Sequence, residues 1–289
     1  VALLGAEPVN AWASAASVMT VLNRVWCASA NDAFAVGWRN GGSPVVHYDG
    51  TNWTAMAAPN WAGMYDVWGT SGTNVFVVGD NGAIQHYDGT TWTQMSSGTG
   101  TSLRGVWGTS PSDVFVVGLA GGILLHYDGT SWTTMASGTG MNLHGVWGPS
   151  ATDVFAVGDG GTVLHYDGAN WTAMSSGTTV SLRGVWGTSA TDVYVVGDQG
   201  TILHYDGARW SAQASGTGER LTSVWGSSGT DVFATASGGA ALFHSDGTTW
   251  SASAIAPNQG LNGVWGASGI GVIAVGNNGT LLRGVRAAT

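Results

Sequence analysis

Short apolar runs of four to six residues, broken by glycine, asparagine, aspartate and serine, recur along the whole chain without a helical spacing. From Leu143 to Gly177 the chain reads LHGVWG, a polar PSAT, DVFAVG, a turn at Asp159-Gly160, GTVLHY, a turn at Asp167-Gly168, and WTAMSSG. Runs rich in Val, Ile, Phe, Tyr and Trp suit strands. The Asp-Gly, Asn-Gly and Gly-Gly pairs between them supply the positive φ angles of two-residue hairpins. Each unit predicts four short antiparallel strands, and helix content close to nil.

The unit repeats. Val-Trp-Gly, or Val-Trp-Cys in the first copy, places its tryptophan at Trp26, Trp68, Trp107, Trp147, Trp186, Trp225 and Trp265, 39 to 42 residues apart. A second landmark, His-Tyr-Asp-Gly-x-x-Trp, starts at His47, His86, His126, His165, His204 and, with serine for tyrosine, His244. A period near 40 residues marks propellers and solenoids, and the termini decide between them. The seventh copy stops after its third strand, where Leu282-Arg283-Gly284 replaces the landmark. Trp12, 14 residues before Trp26, supplies the missing fourth-strand tryptophan; Trp53, Trp92, Trp132, Trp171, Trp210 and Trp250 each lie 15 before the next Val-Trp. A linear stack has no use for such a permutation, whereas a ring is closed by it. The expectation is an all-β chain, residues 1–289 forming a single seven-bladed β-propeller domain with its last blade completed by residues around 9–19. The first strand of each blade lines the axis.

Composition narrows the chemistry. All eight basic residues are arginines against 17 acids, a net charge of −9, which argues against nucleic acid as a partner. The single cysteine, Cys27, excludes an internal disulfide, and no Cys/His cluster predicts a metal. No apolar run has the length of a membrane span, so membrane insertion is not expected. Absence of lysine, one cysteine and a surface of Ser, Thr, Asn and Gly fit an exported bacterial protein, at the cell surface, outside the cell or in the periplasm.

Fourteen of the sixteen tryptophans sit at the two repeat positions and read as core. Trp38 and Trp61 fall off the repeat and are candidate contacts. The motif histidines read as ordering their own blade corners, with the following aspartate or a backbone group, rather than as ligands; they lie too far from the axis to share one ion. The aspartates that follow, such as Asp88 and Asp167, and those opening the second strand, such as Asp113 and Asp153, read as turn formers. No metal site and no cofactor are expected.

His-Tyr-Asp-Gly-Thr-x-Trp between the third and fourth strands resembles the Asp-box of sialidase-type propellers, although glycine follows the aspartate directly and the serine is missing. Val-Trp-Gly with Asp-Gly-x-x-Trp also resembles tectonin-type lectin repeats. The second likeness implies carbohydrate binding, the first either glycoside hydrolysis or scaffolding. A sialidase-like site implies an arginine cluster and a tyrosine nucleophile aided by glutamate. This chain has two glutamates, Glu7 and Glu219, both outside the predicted core strands. The expectation is that it is not an enzyme and has no catalytic residues.

One column varies while its neighbours stay put: the residue after the opening apolar one of each innermost strand is Asn23, Tyr65, Arg104, His144, Arg183, Thr222 and Asn262. These side chains are expected to ring one mouth of the channel, with the variable turns between second and third strands opening on the same face. Recognition usually sits on loops of a rigid scaffold, so Trp38, Arg39, Tyr65, Arg104, His144 and Arg183 are the candidate binding residues; drift at solvated positions would leave the same pattern. The function expected is non-enzymatic recognition of a protein or glycan partner, lectin-like or protein-binding. The alternatives are a structural subunit of a larger surface or membrane-associated complex and, behind it, an Asp-box-type glycoside hydrolase.

Overall fold

Seven four-stranded antiparallel sheets form, each built in chain order from axis to rim except the last. The structure, a computed structural model, describes residues 9–14, 21–38, 44–57, 63–239, 241–254, 260–267 and 271–286. The innermost strands are Val21–Ser29, Met64–Ser71, Leu103–Ser110, Leu143–Ser150, Leu182–Ser189, Leu221–Ser228 and Leu261–Ala267, each packed on the one before and the one after, and the last packed on the first. That is a closed seven-bladed propeller. In the seventh sheet Leu261–Ala267, Gly271–Gly276 and Leu281–Arg286 are completed at the rim by Val9–Ser14, with Trp12 opposite Gly284 and Ser14 opposite Leu282. Of the segment expected to close the ring, residues 15–19 lie outside those described.

The tripeptide at each innermost strand has a packing reason. A Cβ built on Gly108 would stand 2.8 Å from the Trp68 ring, and one on Gly187 2.9 Å from Trp147, so the glycine of one blade makes room for the tryptophan of the blade before. Each such tryptophan also faces the aromatic of its own second strand, as Trp107 does Phe115 at 6.2 Å, and Phe115 meets Tyr166 and Trp171 of the next blade at 5.8 and 6.3 Å. Aromatic contacts therefore run from the first blade to the seventh, through buried phenylalanines and buried or partly buried tyrosines and tryptophans, while Ile273 takes the second-strand position in the seventh.

At the end of the ring away from the second-to-third turns, the motif histidine departs from its expected partner. His165 Nε2 lies 2.7 Å from Asp153 Oδ1, and the same bond joins His47 to Asp32, His126 to Asp113, His204 to Asp192 and His244 to Asp231. The register explains this: His165 pairs with Phe155, and Asp153, two residues before Phe155, projects to the same face of the sheet. The aspartate that follows the histidine is already engaged, since Asp167 Oδ1 accepts the backbone N–H groups of Ala169 and Asn170. Gly168, at φ +90°, takes the first central position of this corner, where a Cβ would be strained. Second-to-third turns are longer than the two-residue hairpins expected. Gly158 N–H donates to the carbonyl of Thr162, and Asp159–Gly161 forms a single 3-10 turn, as do Asp80–Gly82 and Asp198–Gly200.

Candidate binding site at the channel mouth

All seven residues of the variable column line one open cavity of about 510 Å³ at one end of the axis, together with Arg24, Leu119, Asn142 and Arg220. A bulge repeated in every blade puts them there. Leu103 pairs with Gly118 and Gly105 with Val117, leaving Arg104 as an extra residue without a partner across the strand pair, and the register shifts at the same place in the other six blades. A bulge re-aims the side chain it carries. The preceding residue, from Leu22 to Leu261, is buried in each copy and anchors the strand.

The second-to-third turn stands beside each column residue, because the first position of that turn lies fifteen residues on. Tyr65 Oη donates to Asp80 at 2.8 Å, Asn262 Nδ2 to Asn277 at 3.1 Å, and His144 Nε2 lies 2.8 Å from Asp159. Arg183 grips Asp198 through Nε at 3.0 Å and Nη2 at 2.7 Å, the two-pronged geometry of a strong charge-assisted pair, and Arg220 Nε adds a third bond to the same carboxylate. His144 Nε2 is also 2.8 Å from Arg183 Nη1, so this nitrogen donates to the carboxylate when it carries a proton and accepts from the guanidinium when it does not. Burial lowers the His144 pKa, opposed by the hydrogen bond to Asp159 and reinforced by Arg183. For Asp159 burial acts upward, but hydrogen bonds from His144, Asn142 and Ser181 bring its pKa down to about 2.

Below the mouth the axis is plugged. Arg24 reaches across the channel, donating through Nη1 to the carbonyls of Asn23 and Asn262 and through Nη2 to that of Thr222, with Asp66 3.9 Å away. Asp66 accepts the N–H groups of Val67 and Val106, yet burial dominates and pushes its pKa up to about 6, with Arg24 and the two N–H groups pulling the other way. The mouth is thus a basin with a polar floor.

Of the six candidates, Tyr65, Arg104, His144 and Arg183 share the basin. Trp38 stands beside it, 45% exposed and edge-on to Tyr65 at 5.9 Å between ring centres, and it occupies in the first blade the turn position that Asp80 holds in the second. Arg39 and Trp61 lie outside the described residues. Sequence reasoning passed over Arg24 and Asp66, although a signal was there: the position after the variable column is glycine at 105, 145, 184 and 263 but Arg24 and Asp66 in the first two copies. It also missed Asn142 and Arg220, which stand at the repeat position just before the buried anchor, held by Ser102, Ser181 and Gly260 in other copies. Among the described residues, no group of three or more His, Cys, Asp or Glu side chains is arranged to hold a metal, and no helix is long and apolar enough to cross a membrane.

Neither a protein-family model nor a curated protein matches this chain. Solved structures do. One described as YCF48 bound to D1 peptide aligns over 96% of this chain and 95% of its own at 15% identity and a TM-score of 0.75. YCF48 from Cyanidioschyzon merolae gives 0.74 at 17% identity over 94% and 98%. The extracellular domain of the putative one component system BT4673 from B. thetaiotaomicron gives 0.73 at 13% identity, over 94% of this chain and 40% of that one. At these identities the likeness establishes the fold.

Proposed function

We propose that this chain is a non-enzymatic recognition module that takes a peptide segment of a partner protein into the basin at the channel mouth. The observation behind this reading is the convergence of seven side chains of five kinds, all presented by the same repeated bulge, on a single cavity. An invariant scaffold with a varied rim fits selective binding better than mere assembly. The rim offers the residue types that dominate protein interfaces, Trp38, Tyr65 and arginine, set around a desolvated floor. Protein is favoured over glycan because Trp38 is the one aromatic among the large exposed apolar side chains described, and Tyr65 meets it edge-on, which leaves no flat pair of rings for a sugar. That a propeller of this architecture, YCF48, has been solved with a peptide bound supports the same reading. The carboxylates nearest the basin are engaged by arginine, histidine or tyrosine, which removes the paired acids a glycosidase would use. We place the module outside the cytoplasm, in line with its lysine-free composition and with an extracellular domain among the similar folds.

Selection of a displayed random peptide library on the immobilised protein tests this, with a glycan array run in parallel. Peptides that bind the native protein and lose at least about tenfold in affinity to Tyr65→Ala with His144→Ala support the proposal. Binding of glycans alone, or of peptides indifferent to that double substitution, overturns it.

A further inference from the structure

The pairing between the variable column and its turn holds in four blades; Asn23 and Thr222 donate instead to the carbonyls of Met64 and Leu261, and Arg104 has no such substitute. Tyr65 has Asp80, His144 has Asp159, Arg183 has Asp198 and Asn262 has Asn277, each fifteen residues on, but Arg104 meets Leu119. The backbone is unchanged there: Leu119 N–H donates to the carbonyl of Ser102 just as Asp198 N–H donates to that of Ser181. A guanidinium therefore stands at the bulge of the third blade without the carboxylate that the fifth blade supplies to its counterpart.

No other described carboxylate takes that place, and Tyr65 is the side chain that engages the guanidinium. Arg104 forms no ion pair among the described residues, and its Nε, shut off from water, has no hydrogen-bond partner. A buried donor left unmade is costly. What holds the side chain is Tyr65, whose ring centre lies 3.7 Å from the guanidinium carbon. Tyr65 is itself fixed by its bond to Asp80, which Ser102 also donates to. The guanidinium is pre-set by stacking, with Leu119 beside it, its Nε shielded and its terminal nitrogens left for a basin wide enough for a peptide side chain or terminus.

We infer that Arg104 is a subsite for a carboxylate of the bound segment, which completes from outside the ion pair that Arg183 and Asp198 complete from within. Arg183 shows the two-pronged pairing a guanidinium makes with a carboxylate; with Nε of Arg104 shielded, the two prongs there are its terminal nitrogens. A monoanion suits the place better than a dianion, since Asp80 stands next to Tyr65 and the whole chain carries −9. This assignment rests on the reading of the mouth as a recognition site only for the source of the carboxylate, not for the existence of the subsite.

The test observes arginine Nε–H signals in ¹⁵N-edited spectra of the native protein during titration with acetate, acetamide and inorganic phosphate. Acetate is expected to shift the Arg104 signal saturably and acetamide to leave it in place, with the Arg183 signal, already occupied by Asp198, responding at concentrations at least about tenfold higher. Leu119→Asp restores the internal pair and is expected to abolish the response while keeping Arg104. Arg104→Gln removes the signal itself and keeps the fold readable by its other resonances. An unmoved Arg104 signal, an undiminished response in Leu119→Asp, or saturation by phosphate below acetate overturns the inference. For peptides selected on the native protein, affinity lost on amidating the chain terminus assigns the carboxylate to the terminus, and affinity lost on Glu→Gln or Asp→Asn in the peptide assigns it to a side chain. A positive acetate titration with no peptide binder refutes the recognition reading alone; peptide binding indifferent to Arg104→Gln and to both carboxylate changes refutes this subsite alone.

Discussion

The two ends of the ring are built from the same strands, yet one end repeats itself and the other does not. At the corner end, histidine bonds to the aspartate of its own blade five times over, and each motif aspartate folds its carboxylate onto its own turn. At the mouth end, the bulge is repeated but the side chain on it is not. The corner end thus closes five blades each within itself, with Tyr194 donating across to Gly229 of the next blade, whereas the mouth end ties blades together more widely: His144 of the fourth blade meets Arg183 of the fifth, and Arg24 of the first reaches carbonyls in the sixth and seventh. Stability needs local closure, which any copy can provide alike. Recognition needs unlike groups at one place, which only the convergence of all seven copies provides.

The largest expected effect lies in the layer that both ends share. Gly187→Val would drive a side chain into the ring of Trp147 and toward the backbone of Asp192, in a core with no room to give. A loss of roughly 3 kcal/mol or more, read by denaturant titration of tryptophan fluorescence, should disturb both ends together. A loss confined to the mouth would show that the blades are less strongly coupled than the aromatic chain implies.

The comparison is sharpened by removing one acceptor from the corner end. Asp192 accepts from both His204 and Thr188, so Asp192→Ala leaves the half-buried His204 unpaired and the exposed Thr188 to water. A cost of about 1–3 kcal/mol is expected, similar to that of Asp113→Ala, where Thr109 and His126 share one carboxylate in the same way. Peptide binding at the far end should be unchanged for both variants. Unequal costs, or altered binding, would contradict the independence of the corners.

Acid should separate Asp66, beneath the mouth, from the corner carboxylates by sign. Asp128, held by the N–H groups of Ser131 and Thr130 at its exposed corner, is brought down to about 2, and Asp88 and Asp246 are lowered in the same manner. Such groups contribute stability above the ordinary carboxylate pKa near 4 and lose it as the pH falls toward 2. Asp66 is the reverse. With its folded value raised to about 6, the folded chain binds the proton more tightly than the unfolded chain, so stability falls as the pH rises from about 4 through 6. In Asp66→Asn that fall, on the order of 1–3 kcal/mol, should be absent, while the loss below pH ~4 should persist. Thermal unfolding of both proteins from pH 3 to pH 7 checks this; parallel curves would remove Asp66 as the source.

The corner end was the more legible in the sequence because its chemistry is local. Two tryptophans and one Asp-Gly per unit gave strand number, hairpin order and, through Trp12, ring closure. The mouth was legible as a column, since Asn23, Tyr65, Arg104, His144, Arg183, Thr222 and Asn262 vary while the residue before them is leucine in all copies but one, Met64. What that reading lacked was register. Pairing His144 with Asp159 depends on a bulge opposite Gly158, and nothing in a run such as LHGVWG distinguishes a bulge from a plain strand. The same blindness attached histidine to the wrong aspartate: His165 and Asp167 are close along the chain, but pairing across the sheet brings Asp153 to it instead. Arg24 escaped because its donors end on carbonyls of Asn262 and Thr222, which only ring closure brings within reach.

The smallest expected effect comes from the second blade, where the corner end breaks its own rule. Asn74 stands where the other corners have aspartate, and its Nδ2 lies 3.1 Å from His86 Nε2 while its Oδ1 is buried without a partner. An amide N–H needs an unprotonated ring nitrogen as its acceptor, and burial already lowers the His86 pKa, so protonation of His86 opposes folding. Stability from this group is present above the ordinary histidine pKa near 6.5 and declines as the pH drops below it. Asn74→Asp should reverse the sign by supplying an acceptor to a protonated ring: the His86 pKa rises, followed by its imidazole proton shifts, and the decline on acidification disappears. The gain at neutral pH should be no more than about 1 kcal/mol, because the new carboxylate is itself partly desolvated. If the His86 pKa does not rise in the variant, charge pairing is not what the five aspartate corners contribute, and their uniformity must rest on turn geometry alone.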